Sequence, residues 1–170
     1  GIFTNLSQDH LDYHKNLKNY LKAKLYLFKN LINKNGNVIT DEEIPEFKKI
    51  KKISLNKKLN LYSLFDKKNN FEFLSHEFEG EAQLLKIRHN NLIHRIKLNL
   101  IGRIQLKNIL MAMIAAEKSN IGIKKILQTI QKIKSVEGRF ERVGKIKNKS
   151  KVILDFAHTP DALKTCLINL

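Results

Sequence analysis

The chain has 170 residues with a hydrophobic fraction of 42%, enough for one well-cored domain or for one domain and part of another. It has no apolar run long enough to span a membrane, its first residues lack the pattern of a signal peptide, and its single cysteine, Cys166, excludes an internal disulfide. The net charge of +16 comes from scattered residues of which only five are arginines. We therefore interpret it as a compositional bias toward lysine that also attracts anionic substrates, and we expect a cytoplasmic protein.

The first predicted elements are a strand and a long helix. "GIFTN" is typical of a buried strand that ends in a polar turn. A helix from about Leu17 to "NKNG" has one apolar side, made of Leu17, Tyr20, Leu21, Leu25, Phe28, Leu31 and Ile32. Lys24 falls in the middle of that side, whereas the other lysines of the helix project away from it. The position of Lys24 therefore needs an explanation.

The segment from about Val38 to Leu100 shows partial two-residue alternation, which predicts several short, antiparallel strands. They are "NVIT", "KKISLN", "LNLYSLF", "NFEFLSHEF", "AQLLKIRH" and "HRIKLNLIG". Helical spacing returns after Gly102, in one helix that ends at "SNIG" and in a second one over residues 123–133.

The last predicted elements are a strand and a helix. "KVIL" indicates a strand that ends at Asp155, after a polar stretch at 147–150 that is a candidate domain boundary. Thr159 is a predicted helix N-cap with Pro160 at the first helical position. The helix is expected to bury Leu163, Cys166, Leu167 and Leu170. A strand, a turn and a helix form half of a parallel α/β unit, and ligands collect at the carboxyl ends of strands in such sheets.

Two interpretations of Lys24 are open. Its stem packs on the apolar side while the ammonium reaches water, or the amine is desolvated, has a lowered pKa and is available for chemistry.

The histidines of "DHLDYH" also have two interpretations. His10 and His14 are four residues apart, as in zinc sites, but the third ligand and the catalytic glutamate of such a site are missing. The two histidines are therefore either surface groups at a helix start, or one of them helps to hold a hard cation.

Asp155 and His158 are not explained by helix capping. A carboxylate at the end of a strand is placed to accept hydrogen bonds from a ribose or an amine, and His158 lies beside a helix N-terminus, where phosphate is favoured. Arg139 in "EGRFER" is either a solvated loop residue or a nucleotide contact.

Together the motifs "FTNLSQDHLDYH", "NYLKAKLYLF", "G.....NILMAMIAA", "VEGRFERV" and "VILDFAHTPDAL" have the order and approximate spacing of the Mur ligase family. The chain resembles this family from end to end, although residues 36–100 carry almost no motif. The resemblance implies an α/β fold in two parts. Residues 1–147 would be the central ATP-binding domain, a mixed sheet with flanking helices and a small antiparallel region. Residues 148–170 would begin the Rossmann-like C-terminal domain.

The resemblance also implies the role of each site residue. Lys24 matches the family's carbamylated lysine and His10 its magnesium ligand, so both would hold Mg²⁺. Four residues would contact ATP, with Asn108 at the adenine, Arg139 and His158 at the nucleotide, and Asp155 at the ribose.

The implied activity is that of the branch that adds the third amino acid, meso-diaminopimelate or L-lysine, to UDP-MurNAc-L-Ala-D-Glu through an acyl phosphate. We expect a monomer whose partners are these two substrates, with no nucleic acid and no membrane. Ile104, Gln105 and Lys15 depart from the family motifs. The 170 residues also lack a G-x-x-x-x-G-K-[ST] loop. We therefore expect an internal segment that is inactive by itself.

Three other hypotheses remain. A folylpolyglutamate synthase-like ligase would share Lys24 and His10 but not "TNLSQDHLDYH" or "DFAHTPDAL". A basic nucleic-acid-binding module would use the charge of +16 but gives no reason for an inward Lys24. A purely structural α/β domain would leave Asp155 and His10 free to vary.

Overall fold

The computed structural model describes residues 1–66, 71–80, 82–147 and 150–170. Strands and helices alternate in its first part, in the order β1 Ile2–Phe3, α1 Leu11–His14, α2 Leu17–Tyr26 with a π-helical turn Leu27–Leu31, β2 Asn37–Thr40, α3 Phe47–Lys57 and β3 Asn60–Ser63. Three strands and two helices follow, namely β4 Phe71–Glu79, β5 Ala82–His89, β6 Leu92–Leu98, α4 Arg103–Lys118 and α5 Ile123–Ile130. The chain continues with β7 Glu141–Lys145, β8 Lys151–Leu154 and α6 Pro160–Ile168. The expected mixed α/β class is confirmed.

The first two sheets differ in the relative orientation of their strands. Strands β1, β2 and β3 are parallel in that order, with Ile2 opposite Ile39 and Val38 opposite Leu61. Strands β4, β5 and β6 are antiparallel, as predicted. The antiparallel prediction was wrong for β2 and β3, because helices connect these strands.

The predicted strand "KKISLN" is also wrong, since it lies in α3. Ile50, Ile53 and Ser54 are buried at helical spacing on one face of α3. The apolar residues that suggested a strand are therefore part of the buried face of a helix. Lys58 then ends the helix in the left-handed conformation, with φ of 55°.

Two apolar clusters lie on opposite sides of the parallel sheet. Phe3 and Val38 pack against α2, its π-helical turn and α3. Ile39, the neighbour of Val38 in β2, belongs instead to a larger cluster with α4 and the antiparallel sheet. Since successive strand residues point to opposite faces, the short parallel sheet is covered on both sides.

The last predicted elements are confirmed only in part. Thr159 caps α6 by accepting a hydrogen bond from the Ala162 N–H at 3.3 Å. Strand β8 pairs antiparallel with β7. The predicted buried stripe of α6 is wrong apart from Cys166, since Leu163, Leu167 and Leu170 are more than half exposed, at 52%, 65% and 55%. Of the predicted stripe, only Cys166 lies in an apolar cluster of the described residues, where it packs with Ile101 and Phe140. The predicted boundary at residue 148 lies outside the described residues.

None of the helices in the described part of the chain combines the length and apolarity that crossing a bilayer requires.

Candidate functional site

The segment that follows β1 folds back over α2 and surrounds Tyr20. The Lys24 ammonium donates a hydrogen bond to the Asn5 carbonyl oxygen at 2.9 Å and lies 4.9 Å from the centre of the Tyr20 ring. The His10 ring approaches Tyr20 edge-on at 5.9 Å, and the His14 ring stacks on it at 4.7 Å. Tyr20 is therefore the common contact of Lys24 and both histidines.

Lys24 is half-buried in this arrangement. Its ammonium also lies 5.6 Å from the centre of the Phe3 ring, at the end of β1. A lysine between two aromatic rings and a carbonyl oxygen is directed inward, toward the turn that follows β1. That its amine is desolvated and available for chemistry stays a prediction.

Asp9 links the N-terminal segment to the turn before α6. Its carboxylate accepts a hydrogen bond from the His10 N–H at 2.9 Å and lies 3.5 Å from His10 Nε2. The same carboxylate is 3.9 Å from Nε2 of His158. One helical turn further on, Asp161 accepts a hydrogen bond from the Gln8 N–H at 3.5 Å. The fold thus brings His10 and His158 to the two oxygens of one carboxylate.

Asp155 fixes the turn that carries Arg139. One oxygen of its carboxylate accepts from the Phe140 N–H and the other from the Ala157 N–H, both at 2.9 Å. The Phe156 N–H donates to the Gly138 carbonyl at 2.9 Å, and the Arg139 guanidinium lies 5.2 Å from the centre of the Phe156 ring. Arg139 is therefore held beside the end of β8.

The geometry gives Asp155 a structural role in addition to the predicted one. Phe140 is buried, with φ of 49°, so its N–H depends on this carboxylate. Two accepted hydrogen bonds leave lone pairs free on both oxygens, because a carboxylate has about four acceptor positions. A contact between Asp155 and a ribose stays a prediction.

Burial raises the pKa of the Cys166 thiol, and the negative charge of Asp155 raises it further. Cys166 therefore stays a protonated thiol at neutral pH. It packs with Ile101 and Phe140 beneath the turn.

Asn108 is the one predicted site residue that the structure does not join to this cluster. It is exposed on α4, and its side chain forms no hydrogen bond with the described residues. Lys107, beside it in sequence, lies 2.5 Å from carboxylate oxygens of both Asp41 and Glu43. Burial alone would raise the pKa of Glu43, but the hydrogen bonds and positive charges of Lys107 and Arg103 lower it overall.

Sequence reasoning missed three residues of the cluster, Asp9, Tyr20 and Phe156. Asp9 has no feature in the sequence that indicates a contact with a residue as distant as His158. Tyr20 was placed on the same side of the helix as Lys24, but this spacing of four residues was interpreted as apolar packing and not as a contact with the amine. Phe156 is followed by Ala157 and His158, and nothing in that pattern indicates an aromatic contact with Arg139.

The donor atoms near His10 fit only part of a magnesium shell. Among the described residues there is no group of three or more histidine, cysteine, aspartate or glutamate side chains placed to hold a metal ion. His10 and Asp9 supply one imidazole and one carboxylate, and a carbamate on Lys24 would add a second carboxylate. Mg²⁺ prefers oxygen ligands and often completes its shell with water and substrate phosphates. This donor set fits such a shared shell.

The fold and the site define a mixed α/β protein in which histidine, lysine, arginine and aspartate side chains gather at the ends of β1 and β8. A family model described as the Mur ligase middle domain matches residues 1–116. The chain belongs to the Mur ligase family.

One relative is named UDP-N-acetylmuramoyl-L-alanyl-D-glutamate--2,6-diaminopimelate ligase, from Rickettsia typhi. It is 32% identical over 99% of this chain and 33% of its own length. The chain thus spans about a third of the length of the curated relatives that it matches.

Two solved structures share the fold. MurF ligase from Thermotoga maritima in complex with ADP has a TM-score of 0.78 at 16% identity, covering 99% of this chain and 38% of its own. The apo form of L. casei FPGS has a TM-score of 0.74 at 15% identity, covering 99% and 40%. The fold alone therefore does not separate these two kinds of ligase.

Proposed function

We propose that the protein containing this chain is an ATP-dependent ligase of peptidoglycan precursor synthesis. It would act in the cytoplasm, as a monomer, and add meso-diaminopimelate to UDP-MurNAc-L-Ala-D-Glu. The relatives carrying the name of that ligase support the choice of substrate. The observation that carries the proposal is the convergence of His10, Asp9 and His158, which joins the segment after β1 to the turn after β8.

In the proposed reaction the carboxylate of the muramoyl dipeptide attacks the γ-phosphate of ATP to give an acyl phosphate and ADP. The amine of diaminopimelate then attacks the acyl carbon, loses a proton and displaces inorganic phosphate. Mg²⁺ would supply charge neutralisation at the phosphates. His10 and a carbamylated Lys24 would hold it.

Carbamylation of Lys24 requires a neutral amine, which adds to CO₂ and releases one proton to leave an anionic carbamate. The structure places the amine against the Asn5 carbonyl and the Tyr20 ring, contacts that suit the protonated form. On conversion to the carbamate the nitrogen would lose these contacts, and the new carboxylate could hold Mg²⁺ together with His10. The inward direction of Lys24 supports this role, since the new carboxylate would form beside the turn that carries His10.

Four residues would bind the nucleotide. Arg139 and His158 would neutralise phosphate charge, Asp155 would accept hydrogen bonds from the ribose, and Asn108 would contact the adenine. The first three lie around the end of β8. Asn108 would reach the same nucleotide from α4. We propose in addition that the 170 residues alone are inactive, because they contain no glycine-rich loop for phosphates.

The test is carried out on the whole protein that contains these residues. We expect phosphate release only when ATP, the muramoyl dipeptide and diaminopimelate are all present. Lys24→Ala should lower kcat by about 10²–10³-fold, the usual cost of removing a group that stabilises charge in the transition state. Lys22→Ala, which removes an exposed lysine of the same helix, should leave kcat unchanged.

A second measurement detects the carbamate directly. Incubation with ¹³C-bicarbonate should give a carbamate carbon signal in the wild type and in Lys22→Ala, and none in Lys24→Ala. Equal turnover of both variants, or phosphate release that does not depend on the muramoyl dipeptide, would contradict the proposal.

A further inference from the structure

The helices α2 and α3 form the outer layer over one face of the parallel sheet. Leu21 and Leu25 of α2 and Ile50 and Ile53 of α3 bury against Phe3 and Val38. Their opposite sides are exposed. We call the exposed side chains of residues 15–34 and 47–58 the basic layer.

The basic layer contains cations of one kind and no anions. Its two segments include twelve lysines and no arginine, and all 16 acidic residues of the chain lie outside them. Eleven of these lysines are exposed, the exception being Lys24. Within the described part of the chain none of the eleven forms an ion pair. A general compositional bias would distribute acidic residues here too, so the segregation is a property of this surface.

Exposed apolar side chains lie among the lysines. Leu31 is 62% exposed and Leu55 is 70% exposed. In α3, Leu55 follows Lys51 and Lys52 by four and three residues, so the three side chains share the outward face. Tyr26, at 56% exposure, lies at the end of α2. The basic layer therefore presents large apolar groups next to unpaired ammonium groups.

We propose that the basic layer docks on an anionic lipid surface. The lysines would pair with lipid headgroups, and Leu31, Leu55 and Tyr26 would enter the boundary between headgroups and acyl chains. This departs from the sequence-based expectation of no membrane partner, which rested on the lack of a long apolar run and on the scattering of lysines along the chain. The fold places twelve of the 27 lysines on two neighbouring segments.

Nucleic acid is the other polyanion that would attract such a surface. Base readout and phosphate forks depend on arginine, yet all five arginines of this chain lie outside the basic layer. Exposed leucines also have no role against a phosphate backbone. Both observations favour the lipid surface.

The test measures sedimentation of the protein with phosphatidylcholine vesicles, with and without phosphatidylglycerol. We expect binding only to the vesicles with phosphatidylglycerol, and weaker binding at high salt. Replacing Lys48, Lys49, Lys51 and Lys52 by glutamate should lower the partition coefficient at least about tenfold, because each lysine near an anionic surface contributes to binding.

The matched control replaces Lys124, Lys125, Lys132 and Lys134 by glutamate. These residues are exposed in and after α5, and their replacement changes the net charge equally. It should alter partition less than about threefold, since long-range attraction between exposed charges is screened by salt. Circular dichroism of both variants checks that they fold.

The apolar contribution is tested by Leu55→Ala, which should weaken binding, against Leu92→Ala, an exposed leucine of β6 that should not. Equal loss in the two charge variants, absence of binding to phosphatidylglycerol, or tighter binding to duplex DNA than to vesicles would overturn the proposal. None of these results depends on ligase activity.

Discussion

The parallel and antiparallel sheets of this protein differ in how their strands are connected. Strands β4, β5 and β6 follow one another directly, and the link between β5 and β6 is a two-residue turn, Asn90–Asn91, with φ of 46° and 69°. Such turns match the twist of the paired strands. Strands β1, β2 and β3 are two to four residues long and are connected through helices. Paired strands are therefore close in sequence in the antiparallel sheet and far apart in the parallel sheet.

This difference corresponds to where the proposed chemistry lies. The predicted site residues all lie outside the sheet of β4, β5 and β6. The loops that contain Asn5 and Asp41 follow the carboxyl ends of β1 and β2. Parallel strands end at the same edge, so their loops meet there. Helix α4 packs on both sheets, and one apolar cluster includes Ile39 of β2 and Leu85 of β5. The antiparallel sheet thus supports α4, which in turn contacts the edge that bears the site.

The largest expected effect comes from breaking the ion pair that joins α4 to β2. Asp41 is 3% exposed, and Lys107 lies 2.5 Å from its carboxylate. Lys107→Met should lower the free energy of unfolding by about 3–5 kcal/mol, because it leaves a buried carboxylate without its cation. Chemical denaturation measures this value.

The control is an ion pair of the antiparallel sheet. Lys97 and Glu79 are 3.2 Å apart, with side chains 60% and 58% exposed. Lys97→Met should cost at most about 1 kcal/mol, since exposed ion pairs contribute little. The double variant Lys107→Met with Asp41→Leu should recover part of the loss. Equal effects of the two single variants would mean that the parallel edge does not depend on Lys107.

The next effect concerns the turn that carries Arg139. Asp155→Ala removes the acceptor of two backbone N–H groups, one of them on buried Phe140. We expect a loss of about 1–3 kcal/mol in the free energy of unfolding. Faster hydrogen exchange at the Phe140 amide would locate the effect.

Asp12→Ala, at an exposed carboxylate of α1, serves as the control and should leave both quantities unchanged. If Asp155→Ala were as stable as the wild type while nucleotide binding was lost, the carboxylate would act on ligand alone.

Much of this fold follows from the sequence where the pattern is local. The helices around Leu21 and Leu110 and the antiparallel strands were predicted from the spacing of apolar residues. The parallel pairing of β2 with β3 was not, because pairing across a helix leaves no mark on either strand. The same limit applies to the site. His10, His158 and Asp155 were proposed from motifs, whereas Asp9 was not, and the contacts of Asp9 with His158 and of Asp155 with Phe140 join distant segments. The exposed leucines of α6 show a different limit. Helical spacing predicts that a helix has an apolar face, but it does not predict whether other residues cover that face.

The smallest expected effect is a pH dependence within the antiparallel sheet. Burial lowers the pKa of His76 in β4, and the positive charge of Arg103 on α4 lowers it further. The folded protein therefore takes up this proton less readily than the unfolded chain does. The contribution of neutral His76 to the free energy of unfolding should be fully present above the ordinary histidine pKa of about 6.5. It should decrease as the pH drops toward the lowered pKa of the folded state.

One proton changes the free energy of unfolding by at most about 1.4 kcal/mol per pH unit, which bounds the effect. His76→Phe should remove this part of the loss between about pH 7 and about pH 5, where carboxylates are largely ionised in both states. Denaturation at the two pH values, for the wild type and the variant, measures the difference. A larger loss at low pH in the variant than in the wild type would mean that protonation of His76 stabilises the fold. In that case the charge of Arg103 would have to be compensated locally, and α4 would not transmit its charge to the antiparallel sheet.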